Sequence, residues 1–174
     1  MALKSDGTVV VWGRTTGDPR RIPDNLTDVV AIASKTFYGV ALKSDGTVVS
    51  WNDNKYADGD ADEGPTGVSA VAQGGYCSVA LKADGTVFTW GCGGYSSPKL
   101  PEGLSGVIAI AAGYRHALAL KADGTVVAWG ANDDGQITVP YGLTDVVDIA
   151  ASANCSMALK ADGTVVYWGD LYSV

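Results

Sequence analysis

One histidine, His116, is the only imidazole this 174-residue chain offers to activate a nucleophile, and its cysteines are three, Cys77, Cys92 and Cys155. A Ser-His-Asp or Cys-His arrangement would have to be built around His116, with Cys77 as the conceivable nucleophile. No C-x-x-C pair occurs, so neither a zinc site nor a redox pair is expected. Cys77 and Cys155 share one repeat position two units apart, too distant to bridge in a regular array, and free thiols are expected. No glycine loop with a following Lys and helix is present to cradle a phosphate. The chain is therefore read as non-enzymatic and without a cofactor.

Metal chemistry has one candidate. Asp58, Asp60 and Asp62 alternate like the start of a calcium loop, but glycine comes at Gly64, one position late, and the twelfth position is Ser69 instead of Glu. The competing reading is an acidic blade edge that repels other strands. The five aspartates of the Asp-Gly pairs each stand alone and are read as turn residues.

The elements that would position these groups come from an internal repeat. The phrase Ala-Leu-Lys-(Ser/Ala)-Asp-Gly-Thr-Val, then two residues and Trp, occurs five times with a constant spacing of 39 residues. Its glycines are Gly7, Gly46, Gly85, Gly124 and Gly163, and its tryptophans Trp12, Trp51, Trp90, Trp129 and Trp168. Units of this size cannot bury an apolar face alone and must stack. Val107-Ile108-Ala109-Ile110-Ala111, with counterparts at 29–33, 68–72 and 146–150, reads as an inner strand buried on both faces. Residues 117–121 and 125–129 read as two further strands joined by a type I′ Asp-Gly hairpin. Gln136-Ile137-Thr138-Val139-Pro140 is a candidate fourth strand. The fold class is all-β: a β-propeller or partial propeller of 39-residue blades with three to four antiparallel strands each. The chain is one repeat domain, with a partial blade over 1–18 and units over about 19–57, 58–96, 97–135 and 136–174.

The phrases Val-Ile-Ala-Ile-Ala-Ala-Gly-Tyr-Arg-His-Ala-Leu-Ala-Leu-Lys and Asp-Gly-Thr-Val-Val-Ala-Trp-Gly resemble the repeats of the regulator of chromosome condensation superfamily. The compact period and closing Trp-Gly look most like its bacterial branch, which includes the secreted β-lactamase-inhibitor propeller. The resemblance covers essentially the whole chain. It implies a propeller, usually seven-bladed, used as a rigid platform for protein recognition, while exchange factors and an ultraviolet-B photoreceptor on the same scaffold show that fold does not fix the task. A photoreceptor would cluster tryptophans with arginines on a surface. Here all five lie at one repeated strand position and are expected between blades.

Function is sought where the copies differ. One variable loop follows the inner strand and another follows Trp, so both emerge at the same end of each blade. That face would carry Phe37, Tyr38, Tyr56, Tyr76, Tyr95, Tyr114, Arg115, His116, Asn132, Asp133 and Asp134. Tyr, Arg and Asn on a rigid support supply contact area and adaptable hydrogen bonds at protein interfaces. The competing reading is that the aromatic residues only cover the channel and the blade edges.

Composition narrows the partners. A net charge of −7 disfavours nucleic acid and anionic membrane, and 47% hydrophobic content favours a packed soluble core. No apolar run is long enough to span a membrane, and the N-terminus opens inside a repeat without a basic start and apolar run, although a secretion signal removed earlier is compatible with this. Seven such blades would need about 270 residues. The chain holds five hairpins and four inner strands, and is expected to complete its split blade by self-association, with a homodimer favoured. The partner is thus a protein or a second copy; the alternative function is a self-assembling repeat array with no external ligand. Carbohydrate binding by the Tyr and Asn/Asp loops is a third reading.

Overall fold

The computed structural model describes residues 1–12, 23, 26–35, 38–52, 65–76, 78–90 and 99–170, with Tyr38 and Asn52 by their main chain alone. These residues form strands and turns, with no helix among them. An N-terminal hairpin pairs β1 (Ala2–Leu3) with β2 (Val9–Val10). Four antiparallel three-stranded sheets follow: β3 (Val29–Lys35), β4 (Tyr38–Lys43) and β5 (Val48–Asn52); β6 (Val68–Gln73), β7 (Ser78–Lys82) and β8 (Val87–Trp90); β9 (Val107–Ala112), β10 (His116–Lys121) and β11 (Val126–Gly130); β12 (Val146–Ser152), β13 (Cys155–Lys160) and β14 (Val165–Gly169).

Among the described residues each sheet has three strands, and the segment after Trp129 makes no fourth. Gln136–Pro140 turns instead of extending: Thr138 N–H donates to the Gly135 carbonyl at 2.9 Å, and Pro140 has no N–H to offer a ladder. The hairpin turn also differs from expectation. Among the repeat residues at the turn only the glycine is left-handed, with Gly124 at φ 77°. Its N–H donates to the Lys121 carbonyl at 2.9 Å, and Lys121 N–H donates to the Thr125 carbonyl at 2.9 Å. This is a type I turn closed by a one-residue glycine bulge. The aspartate acts as a staple: Asp123 Oδ1 accepts from Thr125 N–H at 3.0 Å and from Thr125 Oγ1 at 2.5 Å. Those bonds, the hydroxyl first, hold its carboxyl down at about 2. The repeated lysines pair with the same aspartates, as Lys4 with Asp6 at 2.9 Å and Lys121 with Asp123 at 3.1 Å.

Each inner strand carries a bulge that the hydrophobic run does not announce. Val30, Ser69, Ile108 and Val147 are left out of the pairing register, and the three apolar ones are more than half exposed. Blades stack face to face through a repeated joint. The turn glycine carbonyl of one blade accepts from the first valine of the next inner strand: Gly7 from Val29, Gly46 from Val68, Gly85 from Val107 and Gly124 from Val146, at 3.0–3.2 Å. Above that bond, Leu and Val of one hairpin pack against Val, Ala and Trp of the next blade, with inner-strand alanines allowing close approach. Trp51, Trp129 and Trp168 are buried there and Trp90 is half-buried, whereas Trp12, at the same repeat position, is 66% exposed.

Candidate functional site

The two variable loops are built at one end of the blades and bonded to each other. Ala131 N–H donates to the Arg115 carbonyl at 2.9 Å, and Asp170 N–H to the Asn154 carbonyl at 3.0 Å. The first loops are also laced from blade to blade: Gly75 N–H donates to the Gly113 carbonyl at 3.1 Å, and Tyr114 N–H to the Ala153 carbonyl at 2.8 Å. These main-chain bonds make a continuous rim, on which side chains are held without needing packing of their own.

Two of the expected contact residues meet on this rim. Tyr76 and Tyr114 stand edge to face with centroids 5.0 Å apart and an interplanar angle of 67°. The Tyr114 hydroxyl donates to that of Tyr76 at 3.3 Å. This bond is the main reason the Tyr114 phenol is pushed above its ordinary value, with burial second. Gly75 makes the arrangement possible, because a Cβ there would overlap the Tyr114 ring. Beside the pair, Arg115 Nη1 lies 3.7 Å from Asp133 Oδ2, both side chains in solvent. Such a pair orients more than it stabilises.

Asn132 turns inward on its own loop. Its Oδ1 accepts from Ile137 N–H at 3.1 Å, and its Nδ2 donates to Thr138 Oγ1 at 3.1 Å. Asp134 N–H donates to Gln136 Oε1 at 2.9 Å, leaving its carboxylate exposed on the rim. Phe37, Tyr56 and Tyr95 lie outside the described residues, as do Asp58, Asp60, Asp62, Cys77 and Cys92, and the Tyr38 side chain is likewise not described. Among the described residues no three His, Cys, Asp or Glu side chains are grouped to hold a metal, and Cys155 is a free thiol.

His116 is not on the surface. Only 3% exposed, it sits beneath the loop with Nε2 2.9 Å from Ser156 Oγ in the next blade. The Ser156 hydroxyl donates to the Gln136 carbonyl at 2.8 Å, and Trp168 Nε1 donates to the same carbonyl at 2.9 Å. With its one proton committed there, Ser156 can only accept from His116, so Nε2 carries the ring hydrogen. The polarity is opposite to that of a base drawing a proton from serine. Nδ1 is buried with no partner among the described residues. Burial, followed by the nearby Lys35 charge, lowers His116 to about 4. The group is a bolt between blades, and it removes His116 from the contact face. Sequence reasoning missed Ser156 and Gln136. The available signal was the polar Ser156 at a strand position held by Gly39 and Ala117 in two other copies.

Residues 107–136 match the family model of the Regulator of chromosome condensation (RCC1) repeat. The third sheet, β9–β11, is thus an RCC1-like repeat. No curated protein matches the chain. Solved structures with this fold include Prp20p from Saccharomyces cerevisiae, 22% identical, with a TM-score of 0.66 over 84% of this chain and 45% of that one. The ectodomain of the Physcomitrella patens receptor kinase CR4 is 21% identical, with a TM-score of 0.71 over 94% of this chain and 47% of its own. The computationally designed Ika8 protein is 26% identical, with a TM-score of 0.53 over 95% of this chain and 53% of its own. The chain spans about half the length of these structures.

Proposed function

We propose that this RCC1-like set of blades is a non-enzymatic protein-binding scaffold whose loop face, centred on Tyr76 and Tyr114, receives a protein partner. The observation that carries this reading is the edge-to-face tyrosine pair, Tyr76 exposed and Tyr114 half-buried, held on a rim of main-chain hydrogen bonds. Rigid aromatic side chains lose little entropy on binding and dominate interface energetics. Arg115, Asp133 and Asp134 supply the polar border of the contact. Prp20p, of the same fold, has binding properties to Gsp1p and histones, which is compatible with a binding role here. The 39-residue period and the closing Trp-Gly support a place near the bacterial β-lactamase-inhibitor branch. The test is affinity capture on the immobilised chain, comparing wild type with the Tyr76→Ala, Tyr114→Ala double variant. Proteins held by wild type should be lost from the variant at unchanged melting temperature; equal retention on both would refute the face.

A further inference from the structure

We propose that Tyr76 and Tyr114 are an oxidative cross-linking site, at which a one-electron oxidant joins the two rings by a carbon–carbon bond and staples the second sheet, β6–β8, to the third, β9–β11. The proposal is independent of partner binding at the same rim: it needs two phenols held in register and an oxidant, with nothing docked.

The pair resembles the coupled product before the bond is made. Removing one electron and the hydroxyl proton from a phenol leaves a radical shared by the oxygen and the ring carbons ortho and para to it, and in tyrosine the para carbon already carries the side chain. Two such radicals therefore join ortho carbon to ortho carbon, and the two hydroxyls of the product flank the new bond as neighbours. Here the Tyr114 hydroxyl already donates to that of Tyr76 at 3.3 Å, with the ring centroids 5.0 Å apart and the planes inclined at 67°. A parallel stack would set the ring faces opposite one another, whereas this inclined contact, made through the hydroxyl ends, brings the ortho carbons together. The step balances with the oxidant alone. Each phenol gives one electron to the oxidant and one proton to water, the hydrogens on the joined carbons move to the oxygens as the rings regain aromaticity, and the chain ends short of two hydrogen atoms.

The main chain keeps the two rings in register. Tyr76 follows β6 and Tyr114 follows β9, on loops tied together by the bond from Gly75 N–H to the Gly113 carbonyl at 3.1 Å, and Tyr114 N–H is anchored in turn to the Ala153 carbonyl at 2.8 Å. The missing side chain of Gly75 leaves the space that the Tyr114 ring fills. Tyr76 is 42% exposed, so an oxidant in solution reaches it. The other tyrosines whose side chains are described, Tyr141 and Tyr167, are more exposed but make no ring contact among the described residues. Exposure alone would favour coupling of those two between chains. Proximity favours Tyr76 with Tyr114 within one chain, since groups already held together react as a single molecule.

The test is a brief flash of the dilute full chain with tris(bipyridine)ruthenium(II) and persulfate, which takes up the two electrons as its O–O bond cleaves to two sulfates. The product is read by dityrosine fluorescence, intact mass and mapping of the cross-linked peptides. Wild type should give a single-chain product short of two hydrogen atoms, with Tyr76 joined to Tyr114. Tyr76→Phe and Tyr114→Phe should each lower the within-chain yield about tenfold or more, whereas Tyr141→Phe and Tyr167→Phe leave it unchanged. Urea added before the flash should lower the wild-type yield by a similar factor, because the two tyrosines, 38 apart in sequence, meet only on the folded rim. The cross-linked chain should unfold at a higher temperature than the untreated one, since a bond closing a loop of that length restricts the unfolded chain as a disulfide does. Absence of a within-chain product, a map that joins other tyrosines, or a yield indifferent to urea would overturn the staple. The wild-type map and the urea comparison decide the matter even where a phenylalanine variant fails to fold.

Discussion

Acid should weaken the joint between the last two blades, and His116 is the group through which it does so. In the folded chain His116 is lowered from 6.5 to about 4, chiefly by burial. Its Nε2 proton is committed to Ser156, and Nδ1 has no partner among the described residues. Protonation would place a cation on the buried Nδ1, near the charge of Lys35. Between the two pKa values the unfolded chain binds the proton and the folded chain does not. Stability is therefore complete above 6.5 and falls as pH is lowered towards 4. At about 1.4 kcal/mol per unit the full shift corresponds to about 3 kcal/mol, and residual solvent screening brings the expected loss to about 2 kcal/mol. Urea denaturation followed by tryptophan fluorescence, at steps from pH 7.5 to 4.5, reads this directly. The assignment is read above about pH 5, where the chain's one histidine titrates, because the turn aspartates Asp6, Asp45, Asp84, Asp123 and Asp162, all held below the usual carboxylate value, add their own loss of stability only below that pH. The His116→Gln variant should be less stable at pH 7.5 yet flat across this window. A flat wild-type profile, or a slope that survives in His116→Gln, would refute the bolt.

Two further outcomes follow from the blade joints and the rim. Leu118→Ala, at a fully buried side chain between the third and fourth blades, should cost about 3 kcal/mol in denaturant unfolding, because the stacked strands cannot collapse into the void. Gly75→Ala should push the Tyr114 ring aside and break its bond to Tyr76, returning the Tyr114 phenol towards 10 in a spectrophotometric titration.

The inner strands, the hairpins and the buried tryptophans were legible because a 39-residue period repeats the same apolar alternation, and a single sequence then holds its own comparison. The common end of the two variable loops followed from strand parity alone. The turn type was not legible. Asp-Gly suits both a two-residue and a three-residue loop, and the choice lies with the threonine after it, whose N–H and hydroxyl capture the aspartate. The bulges at Val30, Ile108 and Val147 were hidden because an exposed valine or isoleucine in an apolar run has no distinguishing mark. His116 looked like a contact residue because it follows Tyr114 and Arg115 in a surface loop. Its burial depends on Ser156, which the next blade supplies across a spacing of 40 residues.

Comparing equivalent positions separates what holds the array together from what it displays. The joint residues Leu, Val, Ala and Trp hardly vary from blade to blade, since each must satisfy an identical neighbour. One that does change is Asp148, which stands where the other three sheets carry Ala31, Ala70 and Ala109. The position of His116 is Tyr38, Cys77 and Cys155 in the other copies, and each such difference is a departure that stacking alone does not demand. At His116 the departure answers to Ser156, and so belongs to stability. At Tyr76 and Tyr114 the two rings answer to each other and to solvent, and Gly75 gives up a side chain to let them meet. Nothing in the joints requires that pair. Its presence on a rim fixed by main-chain bonds is the reason to look for a partner there, before any other part of the surface.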